Sequence, residues 1–134
     1  AMFLFTDAII NDRPVNIFNH GKMERDFTYI NDICEGVVRI LEKDTQEREE
    51  KNLKYKVYNI GNNNSVKLLD FVDAIEEKIG SKANRNYMDM QPGDVERTWA
   101  NVDELIKDYG YSPNTSIKKG VNSFVDWYKN YYKV

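Results

Sequence analysis

Leu68, Val72, Ile75 and Ile79 recur at i, i+4, i+7 and i+11, and Gly80 follows at once. That spacing lines one face of a 3.6-residue period. It predicts an amphipathic helix whose apolar stripe the rest of the chain must cover. A glycine directly after the stripe supplies the left-handed residue that ends such a helix. Ile117, Val121, Phe124, Tyr128 and Tyr131 share a second helical face, with Thr115 as its cap. Between these lie short alternating stretches, Val15 to Phe18 and Tyr55 to Ile60, which predict strands. Helical stripes separated by isolated short strands imply a mixed α/β (α+β) chain of about five helices.

The remaining segments fill in that pattern. Leu4, Phe5, Ala8 and Ile9 share a face within residues 3–11, and Arg13-Pro14 closes that helix. Arg25 to Ile30 is a second extended stretch, with Phe27 and Tyr29 on one face. Asp32 and Glu35 form a capping-box pattern for a helix to about Lys43, with Ile33, Val37, Ile40 and Leu41 as its stripe. Cys34 beside that stripe reads as a packing residue. Residues 42–54 are almost all polar and read as a solvated loop or a frayed helix end. Gly61 to Ser65 is a turn, with Asn64 or Ser65 capping the next helix. Residues 83–90 hold a short strand, Gln91-Pro92-Gly93-Asp94 a tight turn, and Val102, Leu105, Ile106 and Tyr109 a short helix ended by Gly110.

Length and composition narrow the function classes. A chain of 134 residues suits one domain, taken as residues 2–134, with Ala1 reading as a tag remnant before an initiator methionine. The net charge is −3 with no basic stripe, which disfavours nucleic-acid binding. No run is long and apolar enough for a membrane span, and no secretory leader is visible. One cysteine excludes an internal disulfide and fits a reducing cytoplasm. One cysteine and one histidine cannot build a structural zinc site, so no metal is expected.

No complete catalytic constellation is present. No Gly-x-Gly-x-x-Gly follows a strand, no tyrosine is followed by lysine four residues on, and His20 has no nucleophile motif around it. Two loops carry binding chemistry. In Gly21-Lys22-Met23-Glu24-Arg25-Asp26, a guanidinium beside a glycine could clamp a phosphate, although an Arg-Asp pair at a strand start is usually a surface ion pair. In Gln91-Pro92-Gly93-Asp94, a carboxylate on a rigid turn could accept both ribose hydroxyls, although the same residues serve as ordinary turn chemistry.

These stretches in this order resemble a known family. Asn16-Ile17-Phe18, the run from Gly21 through Arg25-Asp26-Phe27-Thr28-Tyr29-Ile30 to Ile33, Tyr58-Asn59-Ile60-Gly61-Asn62, Gln91-Pro92-Gly93-Asp94-Val95 and Phe124-Val125-Asp126-Trp127-Tyr128 carry the likeness. They resemble the C-terminal part of nucleotide-sugar epimerases of the extended short-chain dehydrogenase/reductase family. UDP-glucuronate 4-epimerases of capsule and envelope polysaccharide pathways are the nearest branch. The likeness implies the nucleotide-sugar-binding lobe of an NAD-dependent epimerase, without the Rossmann cofactor domain. That family's glycine-rich NAD loop and its catalytic Tyr and Lys have no counterpart in this chain, so neither a catalytic nor a cofactor-binding residue is assigned here.

The resemblance assigns residues one at a time. Arg25 matches the arginine on the diphosphate, and Asp94 the aspartate on the uridine ribose. Asn16, Ile17 and Phe18 match the strand framing the uracil, and Thr98 a position on the sugar side. Gln91 stands where UDP-galactose 4-epimerases place a second diphosphate arginine, and this neutral amide tilts the likeness to the glucuronate branch. The resemblance implies a UDP-sugar-binding fragment, inactive alone. The alternative is a non-enzymatic subunit or decayed remnant that docks on a separate Rossmann partner. In the family the strand matching Tyr55 to Ile60 lies in the cofactor sheet, so self-association through that edge is also expected.

Overall fold

The computed structural model describes residues 1–51 and 55–134, with side chains described for residues 1–43 and 55–134. Its elements are α1 (Met2–Ile10), β1 (Val15–Ile17), β2 (Glu24–Asp26), α2 (Ile30–Lys51), β3 (Ser65–Lys67), α3 (Leu68–Ile79), β4 (Arg85–Tyr87), α4 (Asp103–Tyr109) and α5 (Ile117–Tyr132), with a 3-10 turn at Phe18–Gly21. This is the mixed α/β pattern expected, with five helices among the described residues. The chain divides into two compact units. The first comprises residues 1–25, 66–98 and 116–134, and the second residues 26–65 and 99–115.

In the first unit α3 packs against both α5 and α1. Leu68, Val72 and Ile75 are buried as their spacing demands, and Phe71 joins them with no exposed surface. Each such side chain is worth roughly 1.5–3 kcal/mol of burial. Gly80 ends α3 at φ 83, and its N–H donates to Glu76 O at 2.8 Å. Val121, Val125 and Tyr128 are the buried positions of α5, while Tyr131 faces solvent. β1 runs parallel to β4 in the register Val15↔Arg85, Asn16↔Asn86, Ile17↔Tyr87. β1 buries Val15 and Ile17 and turns Asn16 outward, the alternation of a half-buried strand.

The second unit closes around Val102, Leu105, Tyr109 and Tyr111, with Ile40, Tyr58, Ile60 and Ala100 packed against them. Tyr111 Oη donates to Gly61 O at 2.9 Å. Asp26 accepts backbone N–H bonds from Asn62 at 3.0 Å and Ala100 at 3.1 Å, tying the 61–62 and 99–101 loops together.

Several local expectations are corrected. Thr6 and Ile9 are the buried residues of α1, and Leu4 is exposed. The helix contacts α3 and β1, and apolar spacing alone does not choose which of its residues they cover. α2 begins at Ile30, so Asp32 lies inside its first turn and not at a cap. Its carboxylate instead takes the Thr115 N–H at 3.2 Å and the Thr115 hydroxyl at 3.1 Å. Thr115 therefore does not cap α5. Ser116 does, accepting from the Lys119 N–H. Glu35 pairs with Arg39 one turn on, so no capping box forms. Val37, Leu41 and Cys34 are exposed, and the buried side of α2 is formed by Asp32 and Gly36.

α2 also continues through Lys51 beyond the expected end near Lys43. Glu, Lys, Gln and Arg are strong helix formers, so a charged run extends a helix as readily as it ends one. The end of the polar run, 52–54, lies outside the described residues. β2 spans Glu24–Asp26, so only Arg25 and Asp26 of the expected second extended stretch are in a strand. Ser65 belongs to β3, and Lys67 precedes α3 without a side-chain cap.

Residues 55–60 are not a strand: they belong to no ladder among the described residues. Their alternation nevertheless survives, with Lys56, Tyr58 and Ile60 partly covered and Tyr55, Val57 and Asn59 exposed. Side chains hold them to α4. Tyr58 Oη donates to Asp108 at 2.8 Å, and Lys56 Nζ donates to the same carboxylate, which raises the lysine pKa.

Candidate functional site

The seven residues expected to bind a nucleotide sugar all fall in the first unit. Arg25 lies in β2, whose chain pairs with the 96–98 segment. Glu24 N–H donates to Glu96 O at 2.8 Å, and Thr98 N–H donates to Glu24 O at 3.1 Å. The Arg25 side chain folds back over this pairing. Its Nη1 donates to Glu24 O at 2.8 Å and Glu96 O at 3.2 Å. Its Nη2 donates to Asp94 Oδ1 at 2.8 Å. Side-chain exposures of 25% for Arg25 and 32% for Asp94 leave both reachable by a ligand.

The turn carrying Asp94 has the expected form. Asp94 N–H donates to Gln91 O at 3.2 Å, and Asp94 Oδ1 also accepts the Val95 N–H at 2.9 Å. Gln91 and Thr98 are both exposed.

Asn16, Ile17 and Phe18 form a second group held by β4. Asn16 Oδ1 accepts from Asn86 Nδ2 at 2.9 Å, and Ile17 O accepts the Met88 N–H at 2.9 Å. The Ile17 side chain lies wholly in the core, so only its backbone is available to a ligand. Phe18 is half-buried and opens the 3-10 turn, where Asn19 and His20 adopt left-handed backbone. Among the described residues no hydrogen bond or ion pair joins this group to Arg25 or Asp94.

Three features escape sequence reasoning. The carbonyls of Glu24 and Glu96 hold the arginine, and backbone acceptors leave no mark on side-chain identity. Asn86 partners Asn16 through strand register. His20 Nε2 lies 3.0 Å from Asp89 Oδ1, joining two residues 69 positions apart.

A separate pocket of about 410 Å³ in the second unit is lined by Asn62, Asn63, Ile106, Gly110, Tyr111, Ser112 and Pro113. None of the seven expected residues lines it. Among the described residues no cluster of His, Cys, Asp and Glu could hold a metal ion, and no helix is long and apolar enough to cross a membrane.

Comparison with known proteins bears on this arrangement. Protein CapI of Staphylococcus aureus is 50% identical over 143 residues, covering 99% of this chain and 43% of CapI. The probable UDP-glucuronate 4-epimerase of Rhizobium meliloti is 38% identical, covering 99% of this chain and 42% of that protein. The crystal structure of UDP-glucuronic acid 4-epimerase from Bacillus cereus, in complex with UDP-glucuronic acid and NAD, superimposes with a TM-score of 0.86 at 31% identity. It is matched over 98% of this chain and 40% of its own. The chain thus spans about two fifths of the length of these relatives. It carries the fold of the corresponding part of an extended short-chain dehydrogenase/reductase. The family model described as GDP-mannose 4,6 dehydratase matches residues 5–124, and the chain belongs to that family of nucleotide-sugar epimerases and dehydratases.

Proposed function

We propose that this chain is the UDP-sugar-binding portion of an NAD-dependent nucleotide-sugar 4-epimerase of the UDP-glucuronate type, serving polysaccharide biosynthesis in the cytoplasm. Residues 2–134 act in this reading as one binding lobe. Arg25 takes the diphosphate, Asp94 the ribose hydroxyls, Asn16 to Phe18 the uracil, and Gln91 and Thr98 the phosphate and sugar sides. One observation carries it: Arg25 and Asp94, 69 positions apart, meet at 2.8 Å with both side chains partly exposed. A guanidinium beside a carboxylate offers the donors a diphosphate needs and the acceptors a ribose needs.

NAD does not fit the residues present, because no glycine-rich dinucleotide turn follows a strand. The hydride chemistry belongs to that cofactor. The proposed contribution of this chain is binding and orientation, with no turnover alone. Calorimetric titration with UDP, UDP-glucuronate and NAD tests the reading. UDP binds, NAD does not, and Arg25→Ala weakens UDP about tenfold, as loss of a charge-assisted bond worth ~1.5–3 kcal/mol requires. Absence of UDP binding at millimolar concentration, or equal binding of NAD, would overturn it.

A second reading rests on residues 55–60, which belong to no ladder among the described residues, with Tyr55 78% and Val57 75% exposed. In this reading the segment is a docking edge, for a separate Rossmann partner or for a second copy of this chain. Light scattering above the monomer mass that falls with Val57→Lys supports the second-copy form. A monomer at all concentrations that also fails to bind a co-expressed Rossmann half sinks the reading.

A further inference from the structure

We infer that Asp94 is a positioning residue for Arg25, so that the carboxylate offered to the ribose also sets the arginine for the phosphates; this deepens the nucleotide-binding reading above and rests on it. Arginine is a long side chain with many rotamers, and an anion captured by a free one must first order it. Here the guanidinium is already ordered by three acceptors. Nη1 is held by the carbonyls of Glu24 and Glu96, and Nη2 by Asp94 Oδ1. The carbonyls are neutral, so Asp94 is the charged member of this set. Asp94 is itself anchored, because the same Oδ1 accepts the Val95 N–H at 2.9 Å.

The donor count agrees with this role. A guanidinium has five N–H donors. Three are engaged, which leaves Nε–H and one hydrogen on Nη2 for an incoming anion. On the acceptor side, both bonds fall on Oδ1, and Oδ2 accepts neither. One carboxylate can therefore keep the arginine in place through one oxygen and meet a hydroxyl through the other. Phosphate and ribose recognition are coupled through this ion pair.

Positioning by Asp94 has an effect opposite in sign to simple electrostatics. A carboxylate beside an anion site repels the anion, so deleting it by charge alone would tighten phosphate binding. Positioning requires that deleting it weaken phosphate binding. Inorganic pyrophosphate, which has no ribose, isolates this effect. Titration of the full chain with pyrophosphate is expected to show Asp94→Ala weaker than the unsubstituted chain by about fivefold or more. Asp94→Asn keeps an oxygen that accepts from Arg25 and from the Val95 N–H, and is expected within about twofold of the unsubstituted chain. In an Arg25→Ala background Asp94→Ala has no weakening effect. Pyrophosphate binding by Asp94→Ala as tight as or tighter than the unsubstituted chain overturns the proposal, as does equal weakening in the Arg25→Ala background. UDP separates the two levels. If the unsubstituted chain binds neither UDP nor pyrophosphate, the nucleotide reading and the positioning role both fall. If it binds both through Arg25 while Asp94→Ala is neutral toward pyrophosphate, the positioning role alone falls.

Discussion

Glu76 Oε1 accepts from both Arg85 Nε at 3.0 Å and Arg85 Nη2 at 2.7 Å, joining α3 to the start of β4 inside the first unit. The Glu76 side chain is almost wholly buried. It also receives Lys82 Nζ at 2.7 Å and the Ala83 N–H at 3.1 Å. One carboxylate thus carries the turn between α3 and β4, and β4 in turn carries β1 with Asn16 and Phe18.

Removing that carboxylate leaves a partly buried guanidinium with Asp73 as its remaining anion. Glu76→Ala is expected to cost about 3 kcal/mol of stability, read as a lowered denaturation midpoint. Burial pushes the Glu76 carboxyl up, but the bonds from Lys82, Arg85 and Ala83 outweigh it and hold the group below its ordinary value. Its unfolded form protonates near ~4.3. The stabilisation is therefore complete above that pH and is lost as pH falls through the lower folded value. Acid denaturation of Glu76→Gln should show a shallower loss of stability below about pH 4 than the unsubstituted chain.

Tyr111 provides the alkaline counterpart in the second unit. Burial first, and then the nearby charges of Asp32, Asp26 and Glu35, push its phenol up to about 12. The neutral phenol donates to Gly61 O. Stability from this group is fully present below the ordinary value of ~10 and is lost as pH rises toward the folded value. Tyr111→Phe should cost ~1 kcal/mol near neutrality, and its stability should fall less than that of the unsubstituted chain between about pH 10 and 12. Urea midpoints across that range measure it.

Gly61 and Gly80 should respond unequally to alanine. A Cβ on Gly61 would lie 2.4 Å from the Ala100 Cβ and 3.0 Å from Asp26 Oδ2, so the 61–62 and 99–101 loops must part. Gly61→Ala is expected to cost ~1–3 kcal/mol. A Cβ on Gly80 meets nothing within 4 Å, and only its φ of 83 opposes a side chain. Gly80→Ala is expected to cost about 1 kcal/mol. Thermal melts of the two variants should rank in that order.

Arg25→Lys tests whether geometry or charge serves the ligand. A lysine keeps the charge but cannot reach two carbonyls and Asp94 while presenting further donors. UDP affinity should fall by about fivefold or more, toward the level of Arg25→Ala. Recovery of full affinity by Arg25→Lys in calorimetry would mean that a point charge suffices.

The sequence by itself determined the elements whose signal is local. The Leu68–Ile79 stripe with Gly80, the short helix ended by Gly110, the β1 alternation and the turn at Gln91 to Asp94 all stand where spacing puts them, because each depends on backbone geometry within a few residues. Tertiary structure decided the rest. Asp32 and Thr115 both look like caps, yet they bond each other across 83 positions, and no local pattern reports such a partner. Tyr55 to Ile60 keeps a strand's alternation but belongs to no ladder among the described residues, since a strand exists only where a neighbouring backbone completes it. Leu4, Val37 and Leu41 are apolar and exposed, because which side of a helix is covered depends on what packs there. Arg25 and Asp94 were legible as separate candidates for binding, but their ion pair was not. It exists because β2 and the 96–98 segment hydrogen-bond along their backbones and bring a guanidinium within 2.8 Å of a carboxylate that the turn at Gly93 presents.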